Sequence, residues 1–118
     1  MKYKMINRIA IIQVKPSMIE KKWEAFTKEL EQFIQTHPSL QAVLLHFNQI
    51  GVVNSQSLGL LVTLHKMIES HQKKLGLCHF SEVNLEVIRL SQLDRILAIF
   101  STEEEALAGL LMPVSAHR

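Results

Sequence analysis

The sequence predicts an α/β domain built on a mostly parallel, mixed sheet of four to five strands with about four helices. Apolar runs at residues 9–14, 42–47, 75–80 and 96–100 have strand length and lack alternation, the pattern of strands buried on both faces. Amphipathic stretches of helical period follow them. Alternation of strand and helix with right-handed crossovers gives a parallel sheet with helices packed on it.

Taken in order, residues 1–6 are predicted to pair with the first strand through a turn near Asn7. Pro16-Ser17 stops that strand, and Ser17 with Glu20 reads as a capping box opening a helix. Ile19, Trp23, Phe26, Leu30, Phe33 and Ile34 form its apolar stripe, with Glu20, Lys21, Lys28, Glu29 and Glu31 largely off it, and Pro38 marks where it has ended. After the strand at 42–47, Leu58, Leu61, Leu64, His65 and Ile68 line a second helix. Lys73-Lys74 leads into the strand at 75–80, and Ser81 is placed to cap a short helix bearing Val83, Val87 and Leu90 on one face. Beyond the strand at 96–100, Ser101 and Thr102 precede Glu103-Glu104-Glu105, two overlapping capping boxes. Three acids there suit the positive end of a helix, so a cap is expected rather than a metal site.

The 118 residues fit one domain, 1–118, with 47% apolar and 20% charged residues, a globular composition. A net charge of +2 from scattered lysines and arginines points to no nucleic-acid partner. Cys78 is the single cysteine, which rules out an internal disulfide and suits a reducing compartment. Within its apolar run it reads as a small buried hydrophobe. The apolar run near the N-terminus is broken by Asn7, Arg8 and Gln13, too interrupted for a signal peptide or membrane span, so a cytoplasmic protein is expected.

None of the six histidines, His37, His46, His65, His71, His79 and His117, forms a helical metal motif. His46 and His79 fall near the ends of neighbouring predicted strands and can approach each other. Two separately hydrogen-bonded histidines are the simpler reading, and neither metal nor cofactor is expected. His65 reads as a core-edge residue. Gly51 and Gly59 are eight residues apart and form no phosphate loop. Ser55 has Val53 and Ser57, not glycines, two residues to either side, which excludes a nucleophile elbow. The nearest acids in sequence, Glu69 and Glu82, are distant. No enzyme is expected.

The turn at residues 51–59 carries the functional reading. A turn leaving a strand for a helix opens at the carboxyl end of a parallel sheet. Ser55 is expected to cap that helix, its hydroxyl near solvent and near the unpaired first-turn amides, where a phosphate or a partner's polar group can be received.

From residue 43 to 107 the sequence resembles the STAS domain family, in particular its anti-sigma factor antagonists. Those proteins carry an apolar strand, a turn of the form Asp-Ser-x-Gly-Leu-Gly and a helix; here the turn reads Asn54-Ser55-Gln56-Ser57-Leu58-Gly59. Lys73-Lys74-Leu75-Gly76-Leu77, the helix at 81–90, Gln92-Leu93-Asp94-Arg95-Ile96 and the closing segment at 100–107 follow in the family's order. In that family the serine or threonine after the Asp is phosphorylated by an anti-sigma factor that is also a serine-protein kinase, and the unmodified antagonist binds that factor. The resemblance implies that Ser55 is the phosphoacceptor and that Asn54, Ser55, Gln56, Ser57 and Leu58 form the partner-binding turn. Three positions depart from the pattern: Asn54 replaces the Asp, His46 stands where the strand usually ends in another Asp, and Ser57 replaces a Gly. The loss of both acids favours an alternative, a non-switching STAS scaffold subunit of a signalling assembly or a lipid-transport complex.

Overall fold

Asn7 and Arg8 both adopt left-handed backbone, φ 51° and 66°, which reverses the chain in two residues with the twist a hairpin needs. Strand β1 (Lys4–Ile6) therefore folds back antiparallel on β2 (Ile9–Gln13), as the sequence predicts. β3 (Ala42–His46), β4 (Lys74–Cys78) and β5 (Ala98–Phe100) then add in parallel, giving a five-stranded mixed sheet of order β1-β2-β3-β4-β5. The register aligns Gln13, His46, Cys78 and Phe100 in one row at the strands' carboxyl ends. The computed structural model describes residues 1–111; His117 and the rest of the predicted domain end lie outside them.

Alternate residues of the strands divide the core. Ala10, Ile12, Val43, Leu45, Leu75 and Leu77 are buried beneath helices α2 (Trp23–Thr36), α3 (Ser55–Ser70) and α4 (Glu82–Leu90). Ile9, Ile11, Ala42, Leu44 and Cys78 face the other way and meet Ala106 and Leu110 of α5 (Glu103–Leu111). Fully burying one leucine- or isoleucine-sized side chain is worth roughly 1.5–3 kcal/mol, so both faces contribute. Gly76 lets α5 come close, since a Cβ there would lie 2.8 Å from Leu110 Cδ1.

The predicted first helix is two helices. Pro16 holds Lys15 extended, φ −110° and ψ 150°, so Lys15 becomes the N-cap and Pro16 the first residue of α1 (Pro16–Glu20). Ser17 thus lies inside the first turn and caps nothing. After Lys21 and Lys22 the chain resumes as α2, where Trp23, Phe26, Leu30 and Ile34 are buried as their spacing predicts. The predicted apolar face of α4 is also corrected. Val83 and Leu90 are 65% and 76% exposed, whereas Asn84 and Ile88 point inward. A 3-10 turn, Leu93–Arg95, delays β5 to Ala98 and leaves Ile96 half exposed. Ser81 does cap α4, accepting from Asn84 N–H at 3.2 Å, and Thr102 Oγ1 accepts from Glu105 N–H at 3.1 Å at the start of α5. Among the described residues no helix is long and apolar enough to cross a membrane.

His65 sits at the core edge, its Nε2 3.5 Å from Glu69, but its Nδ1 is buried without a partner. An unsatisfied buried polar atom costs about 1–3 kcal/mol, and an apolar replacement of similar shape removes that cost. His65→Leu is accordingly expected to stabilise the fold by about 1 kcal/mol in urea denaturation.

Candidate partner-binding site at the start of the third helix

β3 ends at His46, and residues 47–54 carry the chain to α3. Ser55 does not cap that helix; Asn54 does. Asn54 is extended, φ −128° and ψ −179°, and its Oδ1 accepts from Ser57 N–H at 2.9 Å and from the Ser57 hydroxyl at 3.1 Å. One uncharged amide oxygen therefore caps the helix. Ser55 becomes the first residue of the helix, exposed, and its hydroxyl bonds no other described residue. Two residues apart on a helix, side chains point about 200° apart. Ser57 is consequently turned inward, 8% exposed with its hydroxyl engaged, and Leu58 enters the core. Of the five residues predicted to meet a partner, Asn54, Ser55 and Gln56 are exposed, while Ser57 and Leu58 hold the turn from within.

Ser57 N–H is taken by the Asn54 side chain and Leu58 N–H by the Asn54 carbonyl at 3.0 Å. The amides of Ser55 and Gln56 remain as first-turn donors without an intrahelical acceptor, at the positive end of α3. An exposed, unbonded hydroxyl, two open N–H groups and a helix terminus thus share one exposed spot.

Asn84 fixes that spot in place. Its side chain is fully buried; Oδ1 accepts from Val53 N–H at 2.9 Å and Nδ2 donates to Gly51 O at 3.3 Å. The clamp ties residues 51–53 to α4 and leaves Val52 73% exposed. Ile19 and Glu20 of α1 face Val52 and Gln56 across a shallow cleft of about 360 Å³. Ile19, Val52 and Leu60 thus give an apolar edge to a cleft that Asn54, Gln56 and Ser57, the neighbours of Ser55, also line. Sequence reasoning missed Asn84 because its partners lie 31 and 33 residues away, outside any local pattern.

His46 and His79 do approach each other; His46 has the separate hydrogen bond expected of it, to Glu103, whereas His79 has none among the described residues. Their rings stack with centroids 4.7 Å apart and planes at 24°. His46 Nε2 lies 2.8 Å from Glu103 Oε1, and Lys4 Nζ is 3.5 Å from Glu103 Oε2. Cys78 beside them is buried, as its apolar run predicts, and burial first, then the Glu103 carboxylate, pushes its thiol up from 9.0 to about 12. The thiol therefore stays protonated well above neutral pH. Ellman's reagent is expected to label the native chain slowly at mildly alkaline pH and rapidly after unfolding; fast native labelling would contradict this account of Cys78.

Compared with known families, residues 1–106 match the STAS domain. A comparison with curated proteins returns no significant match. Among solved structures, a Thermotoga maritima protein described as an anti-sigma factor antagonist is 23% identical, with 94% of each chain covered and a TM-score of 0.73. A chain from the stressosome, a signal integration and transduction hub, is 15% identical over 92% of this chain and 95% of that one, TM-score 0.76. The anti-sigma factor antagonist SpoIIAA in its unphosphorylated form is 19% identical over 90% and 91% of the chains, TM-score 0.68. The Bacillus SpoIIAA in its phosphorylated form is 16% identical over 92% and 97%, TM-score 0.59. At these identities the structural likeness is one of fold.

Proposed function

Because the chain belongs to the STAS domain family, we propose that it is an anti-sigma factor antagonist: a binding module that docks, through the start of α3, on an anti-sigma factor that is also a serine-protein kinase. Ser55 is the residue that this kinase modifies. The observation that carries the reading is the exposed, unbonded Ser55 hydroxyl at the first position of α3, beside open first-turn amides and three residues from the exposed Val52. A phosphoserine adds about −1.5 to −2 charge, which the positive helix end tolerates while the docking surface changes sign and bulk. The fold persists and the contact is lost. The chain itself turns over no substrate; the kinase acts on it, in the cytoplasm.

A second reading rests on Asn54. The kinase's partner surface would meet an uncharged amide where the family has an acid, and a STAS-like chain also builds the stressosome. In that reading the module is a scaffold subunit without a switch. Affinity purification from the native cell separates the two. The antagonist reading expects an anti-sigma factor kinase in the eluate; a multisubunit assembly or a transporter ATPase without such a kinase would favour the scaffold.

A further inference from the structure

We propose that His46, Cys78 and His79 bind a single zinc-type divalent metal ion on the α5 face of the sheet, with Glu103 orienting His46. Nothing in this site depends on the Ser55 turn. One donor atom from each of the three residues lies within 4.8 Å of the other two. Ligands held at about 2.0–2.3 Å by a tetrahedral ion are roughly 3.3–3.8 Å apart, so small rotamer adjustments close the site. Imidazole and thiolate together are the donor set that selects zinc over hard cations such as magnesium.

The fold explains how the donors meet. His46 and Cys78 are register partners on adjacent parallel strands, so their side chains point to the same face. His79 follows Cys78 and would point to the opposite face if the strand continued. It instead adopts a left-handed backbone, φ 64°, and its ring returns to stack on His46. Positive φ at a residue with a Cβ is uncommon, and such backbone is held where surrounding structure enforces it, often at functional sites. Neither His79 ring nitrogen has a hydrogen-bond partner among the described residues. At His46, by contrast, Nε2 lies 2.8 Å from Glu103 Oε1; with the ring proton on Nε2 it donates to that carboxylate and Nδ1 keeps its lone pair for the ion, the carboxylate–histidine arrangement that supports metal ligation.

On binding, two neutral imidazoles and the Cys78 sulfur donate electron pairs to the ion, and the thiol proton passes to solvent. Water fills the fourth position. Lys4, 3.5 Å from Glu103 and largely exposed, is free to turn outward as the ion arrives. The bound ion would join the ends of β3 and β4 to the first turn of α5 through Glu103.

Cobalt(II) is the probe. Titrated into the metal-stripped full chain, it is expected to give one equivalent of visible ligand-field bands with a thiolate-to-cobalt band in the near ultraviolet, displaced by zinc. Cys78→Ser should abolish the thiolate band, and His79→Gln should weaken binding at least ~10-fold. Glu103→Gln should weaken it about 10–100-fold, the usual loss when an outer partner of a ligand is removed. Circular dichroism checks folding, and the partly exposed His79 keeps the test open if Cys78→Ser fails to fold. Absence of the thiolate band in the wild-type chain, or unchanged affinity in His79→Gln, overturns the proposal. So does binding that survives in both variants, which would place the ion at other histidines.

Discussion

Ser55→Asp is expected to weaken binding to the anti-sigma partner at least ~10-fold, about 1.4 kcal/mol, while Ser55→Ala binds within about twofold of the wild type. The alanine removes a hydroxyl that bonds nothing else in the described chain. The aspartate places a negative charge where a partner surface must desolvate it, and an unmatched charge at an interface is costly. At the first position of α3 the same charge complements the helix end and should stabilise the isolated chain by about 0.3–1 kcal/mol. Binding and stability therefore move in opposite directions, which separates a docking effect from unfolding. Ser57→Asp supplies the contrast. Its side chain is buried against Asn54, so a carboxylate there should destabilise the fold itself. Calorimetric titration and urea denaturation on the three variants read both quantities. A Ser55→Asp chain that binds as tightly as wild type would contradict the switch.

Asn84→Ala is expected to lower stability by about 1–3 kcal/mol, the cost of leaving the buried Val53 N–H without its acceptor. The second consequence is local. Without the clamp, residues 51–53 are no longer held to α4, and the approach to Ser55 loosens. Hydrogen exchange at the Val53 amide should accelerate by more than the global loss of stability explains, and partner binding should weaken although no contact residue has changed. Asn84→Asp keeps the acceptor but loses the donor to Gly51 O and buries a charge, so it should not rescue the loss. Unchanged protection of Val53 in Asn84→Ala would show that the turn is held by something else.

The strands were legible because runs such as residues 42–47 are buried on both faces, and continuous apolarity reports that directly. The stripe Trp23, Phe26, Leu30, Ile34 was legible for the same physical reason at helical period. Helix starts were less so. At Ser17 the constraint that Pro16 places on Lys15 outweighed the capping-box pattern. Asn54 and Ser55 are both good caps one residue apart, and the choice was settled by the reciprocal fit of Asn54 with buried Ser57. That choice matters, since it leaves the Ser55 hydroxyl unbonded rather than spent on the helix. The orientation of α4 was hidden because it follows from Asn84 reaching residues far away in sequence. That His46 and His79 can approach each other was legible from their places at neighbouring strand ends, but the left-handed His79 backbone, φ 64°, and the stacking of the two rings were not. The nature of the partner was carried by the family resemblance and not by any local pattern.

The most direct measurement is to incubate the chain with a cognate anti-sigma factor kinase and ATP, localise the phosphate by fragment mass spectrometry, and titrate both forms against the kinase. The account predicts one phosphate, on Ser55 and not on the inward-facing Ser57, and a modified chain that keeps its fold but releases its partner. A phosphate on Ser57, or no phosphate together with no complex from the unmodified chain, would contradict it.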